Sequence, residues 1–193
     1  MNPKPKMNPN DLLKAEYDYI ASTAFQANED RARGASFYFV SVGSLVAAIL
    51  GTQLSQDNLQ GVALPLFILF AVMTGLGALT LAQLARLRAA WHESVEAMNV
   101  LKDFYLEHYP EFTPAFKWRM KSIPPTDKPY SIANLTAVEV TLLGGLTASA
   151  AVYFLLLLLG MVNWLGLLGV AVSAVLGAAV LWAFYKKLLV DNQ

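Results

Sequence analysis

Four stretches of this chain carry no charge and are dominated by apolar side chains: residues 34–54, 62–85, 140–160 and 161–185. About 20 residues of α-helix cross the hydrocarbon core of a bilayer, so each stretch is long enough. The apolar runs are continuous and show no in–out alternation, which selects helices over a barrel. The third and fourth abut, but Gly160, Asn163 and Trp164 interrupt them with a polar turn and an interfacial aromatic. The pattern predicts an all-α membrane protein with four transmembrane helices in two hairpins, at 34–54, 62–85, 135–159 and 164–185.

Outside these runs the periodicity changes. In 11–33, Leu13, Tyr17, Ile20, Ala24, Ala27 and Arg31 alternate spacings of four and three, one stripe of an amphipathic helix. After the second run, Leu84, Leu87, Trp91, Val95, Met98, Leu101 and Tyr105 form a second stripe, interleaved with Arg88, His92, Glu93, Glu96, Lys102 and Asp103. No helix breaker occurs from Leu66 to Tyr109 except glycines within the apolar run. The second span is therefore expected to continue through 86–109 as one helix, about 35 Å beyond the membrane. Two antiparallel helices joined by a short turn should also meet below the membrane, where water surrounds their stripes.

Pro110 stops the long helix, and Pro114, Pro124, Pro125 and Pro129 punctuate a linker, 110–134. Within it Phe112, Phe116, Trp118 and Met120 alternate with Lys117, Arg119 and Lys121. Such a segment suits the headgroup level, with rings inward and cations towards phosphates. Packing of the rings on the protein's own cytoplasmic helices suits it equally. Residues 1–10 are rich in Pro and Asn and are expected to be disordered, with Asn10 or Asp11 capping the following helix. Residues 186–193 form a short tail.

Composition agrees with the pattern. Hydrophobic residues make up 56% and charged residues 15%, with a mean hydropathy of +0.45. A soluble domain of this size cannot bury so much apolar surface. Fourteen basic and fourteen acidic residues cancel, which argues against a nucleic-acid partner. No Cys is present, so disulfides, thiolate metal sites and Cys nucleophiles are excluded. All fourteen basic residues fall before the first span, between the second and third, or after the fourth. The positive-inside rule then places both termini in the cytoplasm of a multi-pass protein of the cell (inner) membrane. The first 33 residues do not read as a cleavable signal peptide, because the apolar run starts too late.

Candidate chemistry is sparse. His92 and Glu96 stand at i,i+4 and could share a cation, but a solvated helix face explains them as well. No metal site and no cofactor are implied. Glu139 is the one acid beside an apolar run, and an ionisable group in lipid is a functional candidate. It could accept a proton, bind a cation, or pair with Arg86 or Arg88. Yet 140–159 spans a bilayer alone, so Glu139 also fits the headgroup boundary, favoured by the helix dipole. Small residues recur every four positions: Gly43, Ala47 and Gly51; Gly144 and Ala148; Gly169, Ser173 and Gly177. Such faces let helix backbones approach closely, within one chain or between subunits, and spacing leaves both open. No P-loop, G-x-G-x-x-G, H-E-x-x-H or G-x-S-x-G occurs, and no pair of intramembrane carboxylates. The expectation is a non-enzymatic protein.

A cytoplasmic helix (11–33), a tight transmembrane hairpin (34–85) and a long cytoplasmic continuation (86–109), with EYDYIASTAFQANEDRARGASFYF leading into the membrane, resemble the SLATT group of small bacterial membrane proteins. The resemblance is architectural and covers about half the chain, roughly residues 11–109. It implies an oligomeric pore-forming effector of bacterial antiviral defence that answers to a nucleotide-sensing partner. The second hairpin departs from that pattern, and the chain carries no sensor domain. The expected function is an oligomeric pore or membrane-disrupting effector whose cytoplasmic helices receive a signal from a protein partner. Two alternatives stand beside it: an accessory subunit of a larger membrane complex, and a small proton- or cation-coupled carrier using Glu139.

Overall fold

Asn8 and Pro9 set the start of the first helix, α1. The Asn8 side-chain oxygen accepts the Asn10 N–H at 3.1 Å, and its carbonyl accepts the Asp11 N–H at 3.0 Å. Pro9 has no N–H to leave unpaired and a φ already suited to the first helical position. This corrects the expectation that Asn10 or Asp11 caps the helix: both lie inside it. In this computed structural model, which describes residues 8–52 and 56–191, α1 runs unbroken over Pro9–Gly51. The cytoplasmic helix expected at 11–33 and the span expected from 34 are thus one rod, and residues 8–10 of the expected disordered opening are ordered. Residues 53 and 54, the end of that span, lie outside the described residues, as do residues 1–7 of the opening.

The second helix, α2, covers Gln56–His108. Its 53 residues correspond to roughly 80 Å at the standard rise, far more than a bilayer needs. The connection expected between the spans at 34–54 and 62–85 is therefore shorter, because α2 has already begun at Gln56. Pro65 sits within the first turns of α2. The expected continuation of the second span past residue 85 is present without a break.

Beyond His108 the chain forms two short 3-10 turns, Pro110–Ala115 and Met120–Ser122, and both pack on α2. Tyr130 takes a left-handed φ of 58°, and Ser131 then caps the third helix, accepting the Asn134 N–H at 3.3 Å. This helix, α3, spans Ile132–Leu158, starting before the expected 135. It ends in a Schellman arrangement: Met161 N–H bonds Leu156 C=O at 2.8 Å and Gly160 N–H bonds Leu157 C=O at 3.2 Å. Gly160 has a φ of 67°, a conformation costly to residues with a Cβ. Asn163 caps the fourth helix by accepting the Gly166 N–H at 2.9 Å. That helix, α4, runs over Trp164–Asp191 and takes in most of the expected tail. Residues 192–193 lie outside the described residues.

Four helices are thus long and apolar enough to cross a membrane. No strand occurs among the described residues. The helix α2 packs against each of the other three, and no close backbone approach joins α1 to α4. Tyr38, Leu81, Leu84, Val140 and Tyr185 are fully enclosed at the base of the bundle. Leu66, Phe70, Ala151 and Phe154 form a second cluster towards the other end, with the Phe70 and Phe154 rings stacked at 5.6 Å.

The close approach of α3 and α4 rests on glycine. A Cβ on Gly145 would fall 2.6 Å from the Ala174 carbonyl oxygen and 3.0 Å from the Ala178 nitrogen. A Cβ on Gly177 would sit 3.1 Å from the Ala148 Cβ. Gly144, Ala148 and Gly177 therefore serve packing inside the chain. Gly43, Ala47, Gly51 and Gly169 do not, since all four are exposed and nothing lies within 4 Å of a Cβ on the three glycines. Gly145→Val should accordingly destabilise the bundle by about 1–3 kcal/mol through overpacking. Gly43→Val should change stability by no more than roughly 0.5 kcal/mol. Unfolding of the two variants side by side in detergent micelles measures the difference.

Candidate functional site

Below the spans, α1 and α2 remain in contact, and their stripes come together. Ile20, Ala24 and Ala27 of α1 are buried, while Leu13 is half-buried and Tyr17 is exposed. On α2, Leu87, Trp91, Val95, Met98 and Leu101 are half-buried and Tyr105 is at the edge of exposure. The deepest α2 positions in this region are others: Arg88, Ser94, Asn99 and Leu106. Ser94 and Asn99 return their side chains to the Ala90 and Val95 carbonyls, at 2.8 and 3.0 Å. Back-bonding of this kind lets a polar residue enter a helix interface.

The linker closes over this hairpin. Arg119 reaches back to Asp103, with Nη2 at 3.0 Å and Nε at 3.1 Å from one carboxylate oxygen. Trp118, Arg119, Ser122, Ile123 and Pro124 enclose a cavity of about 230 Å³ with Ala24, Trp91, Val95, Met98, Asn99 and Lys102. Near the far end Phe116 joins Leu13, Lys14, Tyr17, Leu101, Lys102 and Tyr105 around a larger open groove of about 490 Å³. Of the linker aromatics, Phe116 borders the groove on the protein's own helices, whereas Trp118 edges the smaller cavity and leaves most of its surface exposed. Phe112 stays exposed.

At the base of the bundle the linker ends on Arg88. Its Nε donates to the Thr126 carbonyl at 3.2 Å and its Nη2 to the Pro125 carbonyl at 3.3 Å. The guanidinium lies 4.6 Å from the centre of the Trp91 ring, a cation–π contact. Arg88 is only 6% exposed. Half-buried Arg31 of α1 lies close enough for the two charges to repel. Burial pushes both pKa values down. At Arg88 the charge of Arg31 lowers the value further, and Tyr185 opposes the shift at both arginines. Both groups remain cationic at neutral pH. Since the folded-state value lies below the unfolded one, each arginine's cost to stability is constant across neutral pH. It is relieved only as pH rises through the folded-state value, in strongly alkaline solution.

Glu139 does not join this cluster. It is exposed and lines a shallow apolar groove with Phe39, Leu142, Leu143 and Leu146. The suggested pair with Arg86 or Arg88 is not formed, because Arg88 turns inward to the linker carbonyls. His92 Nδ1 stands 3.5 Å from Glu96 Oε1, an i,i+4 contact on one helix. Among the described residues, no three His, Asp or Glu side chains converge as a metal site would require.

Inside the bundle a small polar group crosses α2 and α3. The hydroxyls of Thr74 and Thr147 are 3.1 Å apart, so one can donate to the other while the second donates to its own helix, at the Phe70 or the Gly144 carbonyl. The buried Tyr38 hydroxyl faces Thr147 without a well-aligned bond and fills the space over Gly77, 2.7 Å from where a Cβ would stand. Sequence reasoning passed over Tyr38, Gly77, Gly145 and the pairing of Arg31 with Arg88. The signal for the last was present: both arginines border a span, with the Arg31 position on the apolar stripe of its helix.

No protein-family model, curated protein or solved structure matches this chain.

Arg88 is thus the buried tie between linker and bundle, beside the exposed Asp127–Lys186 pair. Arg88→Met keeps the apolar stem and removes both bonds to the linker, which as charge-assisted hydrogen bonds are worth about 1.5–3 kcal/mol each. Trypsin should then cut the linker after Lys121 several-fold faster than in the unaltered protein. An equal cleavage rate would mean that the linker is held elsewhere.

Proposed function

We propose that this protein is a non-enzymatic, oligomeric membrane pore or membrane-disrupting effector, gated through the cytoplasmic parts of α1 and α2. The observation that carries this reading is the outward face of α1. Gly43, Ala47 and Gly51 lie on it, all exposed, and among the described residues nothing stands within 4 Å of a Cβ on either glycine. The interior of a single copy is filled by side chains such as Tyr38, Leu81 and Val140. A conducting path therefore has to run between copies, and a small-residue face permits their close approach. The architectural resemblance over 11–109 points the same way.

Dye release from liposomes carrying the purified chain tests this reading. Leakage should occur, and Gly43→Leu should reduce it at least ten-fold while the monomer's unfolding midpoint stays in place. No leakage in any assembly state, with cytoplasmic extract present, rejects the pore. An accessory subunit of a larger complex is the second reading. It is favoured by Tyr19, Phe25, Val100 and Phe104, which stay exposed on the helices beyond the apolar runs. A stable hetero-complex drawn from native membranes supports it. The carrier reading rests on Glu139 alone, and a Glu139→Gln variant of unchanged activity removes it.

The orientation belongs to the same proposal: both termini face the cytoplasm. The absence of Cys makes it directly testable. A cysteine at Met161 should react with a membrane-impermeant maleimide on intact cells. One at Lys187 should react only after permeabilisation. The reverse pattern inverts the topology and moves the proposed signal-receiving helices outside.

A further inference from the structure

We propose that Arg31 of α1 and Arg88 of α2, both withdrawn from solvent at the base of the bundle where Gly34 of α1 meets Gln83 of α2, form a binding site for a phosphate-bearing anion. Neither guanidinium has a carboxylate within 4.0 Å among the described residues. The nearby acids are engaged elsewhere: Glu29 and Asp30 with Arg33, and Asp127 with Lys186 at 3.5 Å. Two like charges are therefore partly withdrawn from water with no counter-charge from the protein. Leaving a buried charge unpaired costs several kcal/mol, so the arrangement calls for an anion from outside.

The cluster is also held in place. Arg88 donates two of the five N–H groups of a guanidinium to the Pro125 and Thr126 carbonyls and rests on Trp91. Arg31 Nη2 donates to Asn28 Oδ1 at 3.0 Å. Fixed guanidinium forks match phosphate oxygens in pairs, which a single ammonium does not. The site lies next to the last residues of the apolar runs, at the level where lipid phosphates stand. Basic pockets between helices at this depth recognise anionic headgroups. A soluble phosphate could reach the same guanidinium groups from the aqueous side, so the chemistry is shared by two sources.

Native mass spectrometry of the full chain, delipidated in neutral detergent, tests the site with phosphatidylglycerol and phosphatidylcholine as probes. Inorganic phosphate is tested in parallel through the thermal unfolding midpoint. Phosphatidylglycerol should be retained over phosphatidylcholine, and Arg31→Gln and Arg88→Gln should each reduce that retention about ten-fold. Lys187→Gln, an exposed charge nearby, should leave it unchanged. Retention of the lipid with no response to inorganic phosphate assigns the site to a headgroup. A raised midpoint with inorganic phosphate, lost in Arg31→Gln and without lipid preference, assigns it to a soluble phosphate. Equal retention by the variants, or an equal loss in Lys187→Gln, overturns the proposal. If Arg88→Gln does not fold, half-buried Arg31 decides, with Arg31→Lys expected to recover only part of the binding. The site stands or falls independently of conductance.

Discussion

A peptide group in hydrocarbon has no water to bond, so each N–H and C=O must find its partner within the same helix. That constraint makes four unbroken helices the framework of this protein and leaves side chains to decide how they meet. It also explains where irregular backbone occurs. The described turns and the Pro-rich linker fall at the ends of the long helices, and the open carbonyls at the end of α3 are met by Met161 and Gly160 rather than by solvent. Because apolar burial gives no advantage between helices in lipid, association must come from contact. Gly145 and Gly177 supply it by letting α3 and α4 approach backbone to backbone. The outcome is uneven: α3 buries 39% of its most apolar window and α4 only 6%. The outer face of α4 is therefore left to lipid or to another chain.

A different balance rules the base of the bundle. Burying a guanidinium costs several kcal/mol. At Arg88 this is offset by two charge-assisted hydrogen bonds and a ring beneath the cation, contributions of about 1.5–3 and 0.5–2 kcal/mol each. Those terms are of the same size as the penalty, so Arg88 holds the linker without a carboxylate. Arg31 has one hydrogen bond and the repulsion of its neighbour. The residual imbalance is what makes an external anion the natural complement.

The four apolar helices were legible in the sequence because hydropathy over about 20 residues is a sum, and sums are insensitive to local detail. The run of α2 beyond its apolar stretch was legible from the lack of helix breakers, but in that region Arg88, Ser94, Asn99 and Leu106 lie deeper than the stripe residues Trp91, Leu101 and Tyr105. What failed was local. Asn8, Asn10 and Asp11 are all adequate caps, and only the chain's turn at Pro9 selects Asn8. Gly43 and Gly145 look alike in sequence, yet one faces outward and the other meets a carbonyl oxygen. Ser94 and Asn99 are buried although polar, because the Ser94 hydroxyl and the Asn99 amide nitrogen donate to carbonyls of their own helix. Glu139 and Arg88 could be matched by depth, but depth does not say which way a side chain turns around its helix.

The parts of α1 and α2 beyond the apolar runs bear on the proposed function through stiffness. A helix of 53 residues without an interior break below its apolar run transmits a displacement instead of absorbing it. The residues that would receive one, Tyr17, Tyr105 and Phe116, line the groove farthest from the bundle. The linker offers a second route back: it leaves the end of α2, is pinned at Asp103 by Arg119, and returns to Arg88 before feeding α3. A load on the groove would thus reach α2 directly and α3 through the linker, the two helices joined inside the bundle by Thr74 and Thr147. A purely structural subunit has no need for both routes, whereas a gated one requires that helices of both hairpins move together. Under the proposed pore reading the linker would belong to the gating apparatus, with Arg88 as its point of attachment to the bundle.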